Sequence, residues 1–129
     1  MKYIGIDYGG RRIGIALSDA AGNFAFPKGT IPNDISSIDR IARIIVTEDV
    51  RALVFGDTRA DTGAPNTITA EAEHFANALA AHVKLPIHAV REAWSSDEAM
   101  RFAPKGLKRD EAAAAIILQR YLDSNPQKN

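Results

Sequence analysis

Three acidic residues, Asp7, Glu92 and Asp110, stand at the ends of apolar segments, where carboxylates can do chemistry rather than merely solvate a surface. Asp7 lies in the run Tyr3-Ile4-Gly5-Ile6-Asp7-Tyr8, and an ionised carboxylate in such a strand is costly without a partner or a cation. Gly5, Gly9 and Gly10 leave space around it and let the chain turn tightly. The plainer reading of Asp7 is an aspartate at a strand end that accepts turn hydrogen bonds. Glu92 follows the apolar run Ile87 to Val90, so it emerges at the carboxyl end of a strand, the rim where open α/β sheets place ligands. By itself it also reads as an ordinary solvated loop residue. Asp110 opens the last helix, where the helix dipole favours a carboxylate by about 0.3–1 kcal/mol. It also shares a helix face with Ala113, Ala114, Ile117 and Tyr121, which is otherwise apolar. If that face packs on the sheet, Asp110 points inward near Asp7. Three carboxylates converging at one end of a sheet would bind the oxygen-preferring ions Mg²⁺ or Mn²⁺. Two such ions can activate a water and stabilise the leaving oxygen of a phosphodiester.

Other residues could serve the same rim. Asp57 directly follows Leu53-Val54-Phe55-Gly56, although Asp61 and Gly63 nearby suit a mobile loop equally well. Trp94, the only tryptophan, either stacks a base or covers the sheet edge. Beside it stands Ser95, which forms a capping-box pattern with Glu98. Arg11 and Arg12 in the first turn, and Lys105, Lys108 and Arg109 before Asp110, are placed to contact phosphates, as well as being simply soluble turns. His74, His82 and His88 make no metal spacing with one another, and the first two read as surface or packing residues.

The elements that must hold these groups follow from periodicity. Tyr3–Tyr8 and Ile13–Leu17 read as antiparallel strands joined by Gly9-Gly10-Arg11-Arg12. A turn at Asp19–Asn23 leads to a third strand, Phe24–Ile31, which Pro27 and Pro32 either confine to an edge or break. Ile35, Ile38, Ile41, Ala42 and Ile45 recur at helical spacing, with Asn33 or Asp34 available as cap. Ala52–Phe55 is a strand buried on both faces and stopped by Gly56, and 57–67 is an irregular loop. Ile68, Ala72, Phe75, Ala76, Leu79 and Val83 line a second helix, followed by a strand at Ile87–Val90. A short helix from Ser95 to about Phe102 and an Ala- and Ile-rich helix over Asp110–Leu122 complete the order βββαβαβαα. This is an α/β fold: a mixed five-stranded sheet, a three-stranded antiparallel meander plus parallel strands, with helices on both faces, in the ribonuclease H-like order. Residues 1–123 form a single domain and 124–129 a frayed tail.

Composition bounds the partners. The 129 residues are 46% hydrophobic and 25% charged, as expected of one compact domain. Sixteen basic and sixteen acidic residues cancel, so any nucleic-acid contact must be local rather than a general positive field. Cysteine is absent, which removes disulfides and thiolate zinc sites and fits a reducing cytosol. The N-terminus lacks a signal-peptide core, and no apolar run approaches the roughly 20 residues of a membrane helix. The expectation is a cytoplasmic protein, monomer or homodimer, with a nucleic-acid partner and no membrane.

The segment Asp7-Tyr8-Gly9-Gly10-Arg11-Arg12-Ile13-Gly14-Ile15-Ala16-Leu17-Ser18-Asp19 resembles the D-x-G-x-[KR]-R-I-G-x-A-x-S-D signature of the YqgF/RuvX family of Holliday junction resolvases, also described as pre-16S ribosomal RNA nucleases. Leu53–Gly56 resembles that family's V-V-G strand, Val90–Ser96 its V-D-E-R-L-[ST]-[ST] segment, and Asp110–Gln119 its D-x-x-A-A-x-x-I-L-[QE] helix. The resemblance covers nearly the whole chain and sets the family's acidic triad on Asp7, Glu92 and Asp110. It implies a metal-dependent nuclease that processes precursor 16S rRNA ends in ribosome biogenesis or resolves branched DNA. The chain differs where the family has G-L-P-x-N-x-D-G, here Gly56-Asp57-Thr58-Arg59-Ala60-Asp61-Thr62-Gly63, and in having Arg91 and Ala93 around Glu92. A second reading is a catalytically weak or inactive nucleic-acid-binding module in ribosome maturation, against which the three acids argue. A third, a phosphate hairpin of the actin and sugar-kinase type, needs two such domains, and this chain has the length of one.

Overall fold

The computed structural model describes residues 1–57, 67–91 and 109–124. Alternation of isoleucine with small residues in the first two strands creates two unlike faces. Ile4 and Ile6 of β1 (Tyr3–Tyr8), with Ile13, Ile15 and Leu17 of β2 (Arg12–Ser18), bury into one cluster. Tyr3 and Ala16 point into the other, together with Gly5 and Gly14. β3 (Ala25–Pro32) pairs antiparallel with β2, with a register shift at Ile15/Ala16, while β4 (Ala52–Asp57) and β5 (Ile87–Arg91) continue the sheet in parallel. The strand order is β3-β2-β1-β4-β5, so the crossover strands extend the meander on the β1 side and β3 lies at an edge, where its prolines are tolerated.

Helices α1 (Ser37–Thr47) and α2 (Thr67–Val83) cover the isoleucine face with Ile41, Ile45, Ala76 and Leu79. On the opposite face, α3 (Arg109–Ser124) presses Ala114, Ile117, Leu118 and Leu122 across β1, β2 and β3. Helices thus lie on both faces of a mixed sheet, as the periodicity predicts. No helix among the described residues is long and apolar enough to cross a membrane.

Several boundaries differ from expectation. Ile35 is not part of the α1 face; it precedes the helix and is fully exposed. The cause is local hydrogen bonding: the Asp34 carboxylate accepts from the Ser36 amide (2.9 Å) and hydroxyl (2.6 Å), and the Ser37 hydroxyl donates to the Pro32 carbonyl (3.0 Å). These bonds hold 34–36 in a turn, and neither Asn33 nor Asp34 is the N-cap, which is Ser36. Gly56 does not stop β4. The ladder to β5 continues through Gly56–Val90 to Asp57–Arg91, so β4 and β5 each reach further than their apolar runs. α2 begins at Thr67, and α3 starts at Arg109 and runs to Ser124, the first residue of the expected tail. The helix expected from Ser95 to Phe102 lies outside the described residues.

The fit of α3 depends on two missing side chains. A Cβ on Gly5 would come within 2.7 Å of Leu118 Cβ and 2.9 Å of the Ala114 carbonyl oxygen. One on Gly14 would collide with the Asp110 carbonyl, with Glu111 N only 3.1 Å away. At its other end the helix is tied to the β2–β3 turn by Gln119, whose Oε1 accepts from the Ala25 amide (2.9 Å) and whose Nε2 donates to the Asn23 carbonyl (3.1 Å). Within that turn Asp19 accepts the amides of Asn23 (2.7 Å) and Phe24 (3.1 Å), and Ser18, buried, accepts the Tyr3 amide (2.8 Å).

Two outcomes follow. Gly14→Ala should destabilise the fold by about 1–3 kcal/mol in urea unfolding, whereas Gly29→Ala, whose Cβ would meet nothing within 4 Å, should change little. The amides of Phe24 and then Asn23 hold the Asp19 carboxyl below its ordinary value of 3.8. A depressed folded-state pKa stabilises above the unfolded pKa and loses that contribution as pH falls through the folded value. The stability difference between the parent and Asp19→Asn should therefore be full at neutral pH and close below about pH 4; a difference that persists unchanged into acid would contradict it.

Candidate functional site

Asp7 is the penultimate residue of β1, half-buried, and directly opposite Gly14 in the antiparallel ladder. Cross-strand partners project to the same face, with Cα atoms about 4.5–5.5 Å apart. Because the vacant Cβ direction of Gly14 points at the Asp110 carbonyl, Asp7 stands beside the first turn of α3. Asp110 and Glu111 both lie in that turn, where the positive end of the helix dipole favours them. Residues more than a hundred positions apart in sequence thus meet at one spot because glycine leaves room there.

Arg12 joins them. It starts β2, shares the face of Gly14, and donates from Nε to Asp110 Oδ2 at 2.8 Å. The Arg12 side chain is 64% exposed and that of Asp110 26%, so the pair sits at a solvent-facing rim. Surface pairs of this kind contribute about 0–1 kcal/mol. The sequence placed Arg12 as a phosphate contact; the structure gives it a carboxylate partner.

The turn that carries Arg11 and leads away from Asp7 is clamped from the end of β3. Asn33 donates from its side-chain amide to the Gly9 carbonyl (2.7 Å) and from its backbone amide to the Arg11 carbonyl (2.9 Å). A Cβ on Gly9 would come within 2.6 Å of the Arg12 carbonyl oxygen, so the turn closes only with glycine there. Asn33 is one of two residues, with Asp34, available by type as a helix cap, and no local pattern distinguishes that role from a cross-turn clamp. Beneath the strand, Tyr8 packs on Phe75 with ring centroids 5.0 Å apart, which fixes the far side of the same segment.

Asp57 ends β4 beside Arg91, and β4 and β5 run parallel to β1, so their carboxyl ends lie at the same end of the sheet as Asp7. Glu92, Trp94, Ser95, Lys105 and Lys108 lie outside the described residues, and Arg109 is placed only as the first residue of α3. His82 is exposed and lies 4.0 Å from Asp39. His88, which spacing left without a role, stacks on Tyr121 at 4.8 Å.

Asp7 and Asp110 offer carboxylate oxygens, the donor type that Mg²⁺ and Mn²⁺ take. They fit such an ion in chemistry, and the backbone places Asp7 opposite the glycine on which the start of α3 packs. Among the described residues no group of three His, Cys, Asp or Glu comes together, so the pair needs a donor from elsewhere.

Comparison with known proteins agrees with this architecture. A family model described as RuvX: Holliday junction resolvase matches residues 1–124. A protein of Chlorobium luteolum, provisionally named a pre-16S rRNA nuclease, is 36% identical over 136 residues, covering 96% of this chain and 95% of its own. A like-named protein of Leifsonia xyli is 37% identical, covering 94% and 84%. Among solved structures, Thermus thermophilus RuvC superimposes with a TM-score of 0.65 at 13% identity, covering 99% and 98%. The fowlpox virus resolvase in complex with Holliday junction DNA gives 0.64 at 9%, covering 96% and 98%. At these identities the structures speak for the ribonuclease H-like fold alone. With a family model over almost its whole length and relatives of closely matching size, the chain belongs to the RuvX family.

Proposed function

We propose that this protein is a metal-dependent nuclease that hydrolyses phosphodiester bonds, acting on the ends of precursor 16S rRNA in the cytoplasm, with branched DNA as the other substrate of matching chemistry. The observation that carries the reading is that Asp7, at the carboxyl end of β1, lies opposite Gly14, against which the Asp110 backbone packs. Membership of a resolvase family and the names of the relatives support hydrolysis and the RNA substrate.

Asp7, Asp110 and Glu92 would hold Mg²⁺ or Mn²⁺. Glu92 follows Arg91, the last residue of β5, whose carboxyl end lies on the same rim. Bound there, the ion supplies an activated water and charge stabilisation at the scissile phosphate. The protein's own groups do the remainder. Half-burial of Asp7 limits competing water, and the rigid hairpin keeps its carboxylate in place. Arg11, Arg12, Lys105, Lys108 and Arg109 orient the nucleic acid through its phosphates, with Trp94, Ser95 and Asp57 as auxiliary contacts. Overall neutrality suits a substrate recognised at this rim rather than along an entire duplex.

Cleavage of a labelled precursor 16S rRNA fragment and of a synthetic four-way DNA junction, with Mn²⁺ and with chelator, tests the reading. The parent should cut only with metal, and Asp7→Asn and Asp110→Asn should each lose on the order of a hundredfold or more in rate while retaining the parent's circular dichroism. Metal-dependent cutting that survives Asp7→Asn would remove the proposed site.

A further inference from the structure

The bond between Arg12 Nε and Asp110 Oδ2 places a cation on an oxygen that the proposed site needs for a metal ion. A guanidinium and a divalent ion cannot share that oxygen without strong repulsion. Arg12 is mostly exposed, so it can leave, while its partner Asp110 keeps about a quarter of its side chain open to solvent. The bond uses Nε, while the guanidinium carries further donors whose fork geometry matches phosphate. Arg12 stands at the start of β2, next to the turn held by Asn33, so its backbone is anchored by the ladder and the clamp.

We propose that Arg12 is a displaceable latch: it covers Asp110 while the site lacks a divalent ion, and turns onto a phosphate of the nucleic acid when the ion takes Asp110. Metal and nucleic acid are then positively coupled through Arg12, because each draws away a partner that would otherwise oppose the other. Coupling of this kind is reciprocal. It also keeps Asp110 neutralised in the resting protein. This inference rests on the proposed metal site, and it makes a prediction that the site alone does not: deleting a positive charge outside the ligand set should tighten metal binding.

The test is Mn²⁺ titration of the full chain, read from the electron paramagnetic resonance signal of free Mn²⁺, for the parent, Arg12→Ala, Arg12→Lys and Asp110→Asn. Surface ion pairs contribute up to about 1 kcal/mol, which is about fivefold in affinity. Arg12→Ala should therefore bind Mn²⁺ up to about fivefold more tightly than the parent, with Arg12→Lys between them and Asp110→Asn greatly weakened. In parallel, anisotropy of a labelled phosphorothioate precursor-RNA fragment gives affinity with and without Mn²⁺. The gain on adding Mn²⁺ should be about fivefold smaller in Arg12→Ala than in the parent.

Mn²⁺ affinity that is unchanged or weaker in Arg12→Ala, or an RNA affinity that falls equally with and without Mn²⁺, would overturn the latch. If Asp110→Asn still abolished Mn²⁺ binding in that case, the metal site would stand and only the latch would fail. A parent that binds no Mn²⁺, or an Asp110→Asn variant that binds it normally, would overturn both.

Discussion

The approach of α3 to the β1–β2 ladder governs the rest of the molecule. A helix normally rides on a sheet at a distance set by its side chains; here two glycines let backbone meet backbone at Gly5 and Gly14. Ala16 and Ala114, both fully buried, continue the same narrow seam. The price in conformational entropy of glycine within strands is offset by a helix start delivered next to Asp7. Bulky residues at the same positions would give a sheet of equal hydrophobicity with its two acids held apart.

Much of the Asp7–Asp19 segment serves this architecture rather than chemistry. Gly14 admits the helix, and Ser18 completes the β1–β2 edge by accepting the Tyr3 amide. Asp19 organises the following turn, on which Gln119 then docks. Asp7, Arg11 and Arg12 carry the groups suited to ions and phosphates. A long run of distinctive residues can thus record a packing problem, with a few chemical positions embedded in it.

The strands and the faces of the helices were legible because burial imposes a strict period: Ile4, Ile6, Ile13 and Ile15 alternate, and Ala114, Ile117 and Tyr121 recur at helical spacing. The packing of the start of α3 against the β1–β2 hairpin was legible for the same reason, through the apolar face that begins at Asp110. What escaped was decided by hydrogen bonds between residues distant in sequence. Asn33 has the composition of a helix cap and is instead drawn to the hairpin turn. Gly56 looks like a strand end, yet pairing with β5 carries the ladder past it. Arg12 carried no mark of its bond to Asp110, since nothing local links positions 98 residues apart. His88 on Tyr121 is a similar case, a contact made by the sheet and not by spacing.

The central strand comes first in the chain, whereas its parallel neighbour β4 and the helix that covers it follow much later. Closing such long loops slows folding relative to a chain of local contacts. During synthesis Asp7 emerges about a hundred residues before the helix start that packs against Gly14 opposite it. The seam at Gly14 therefore joins the two ends of the sequence: without α3 the hairpin keeps Asp7 but lacks the helix start that packs against Gly14.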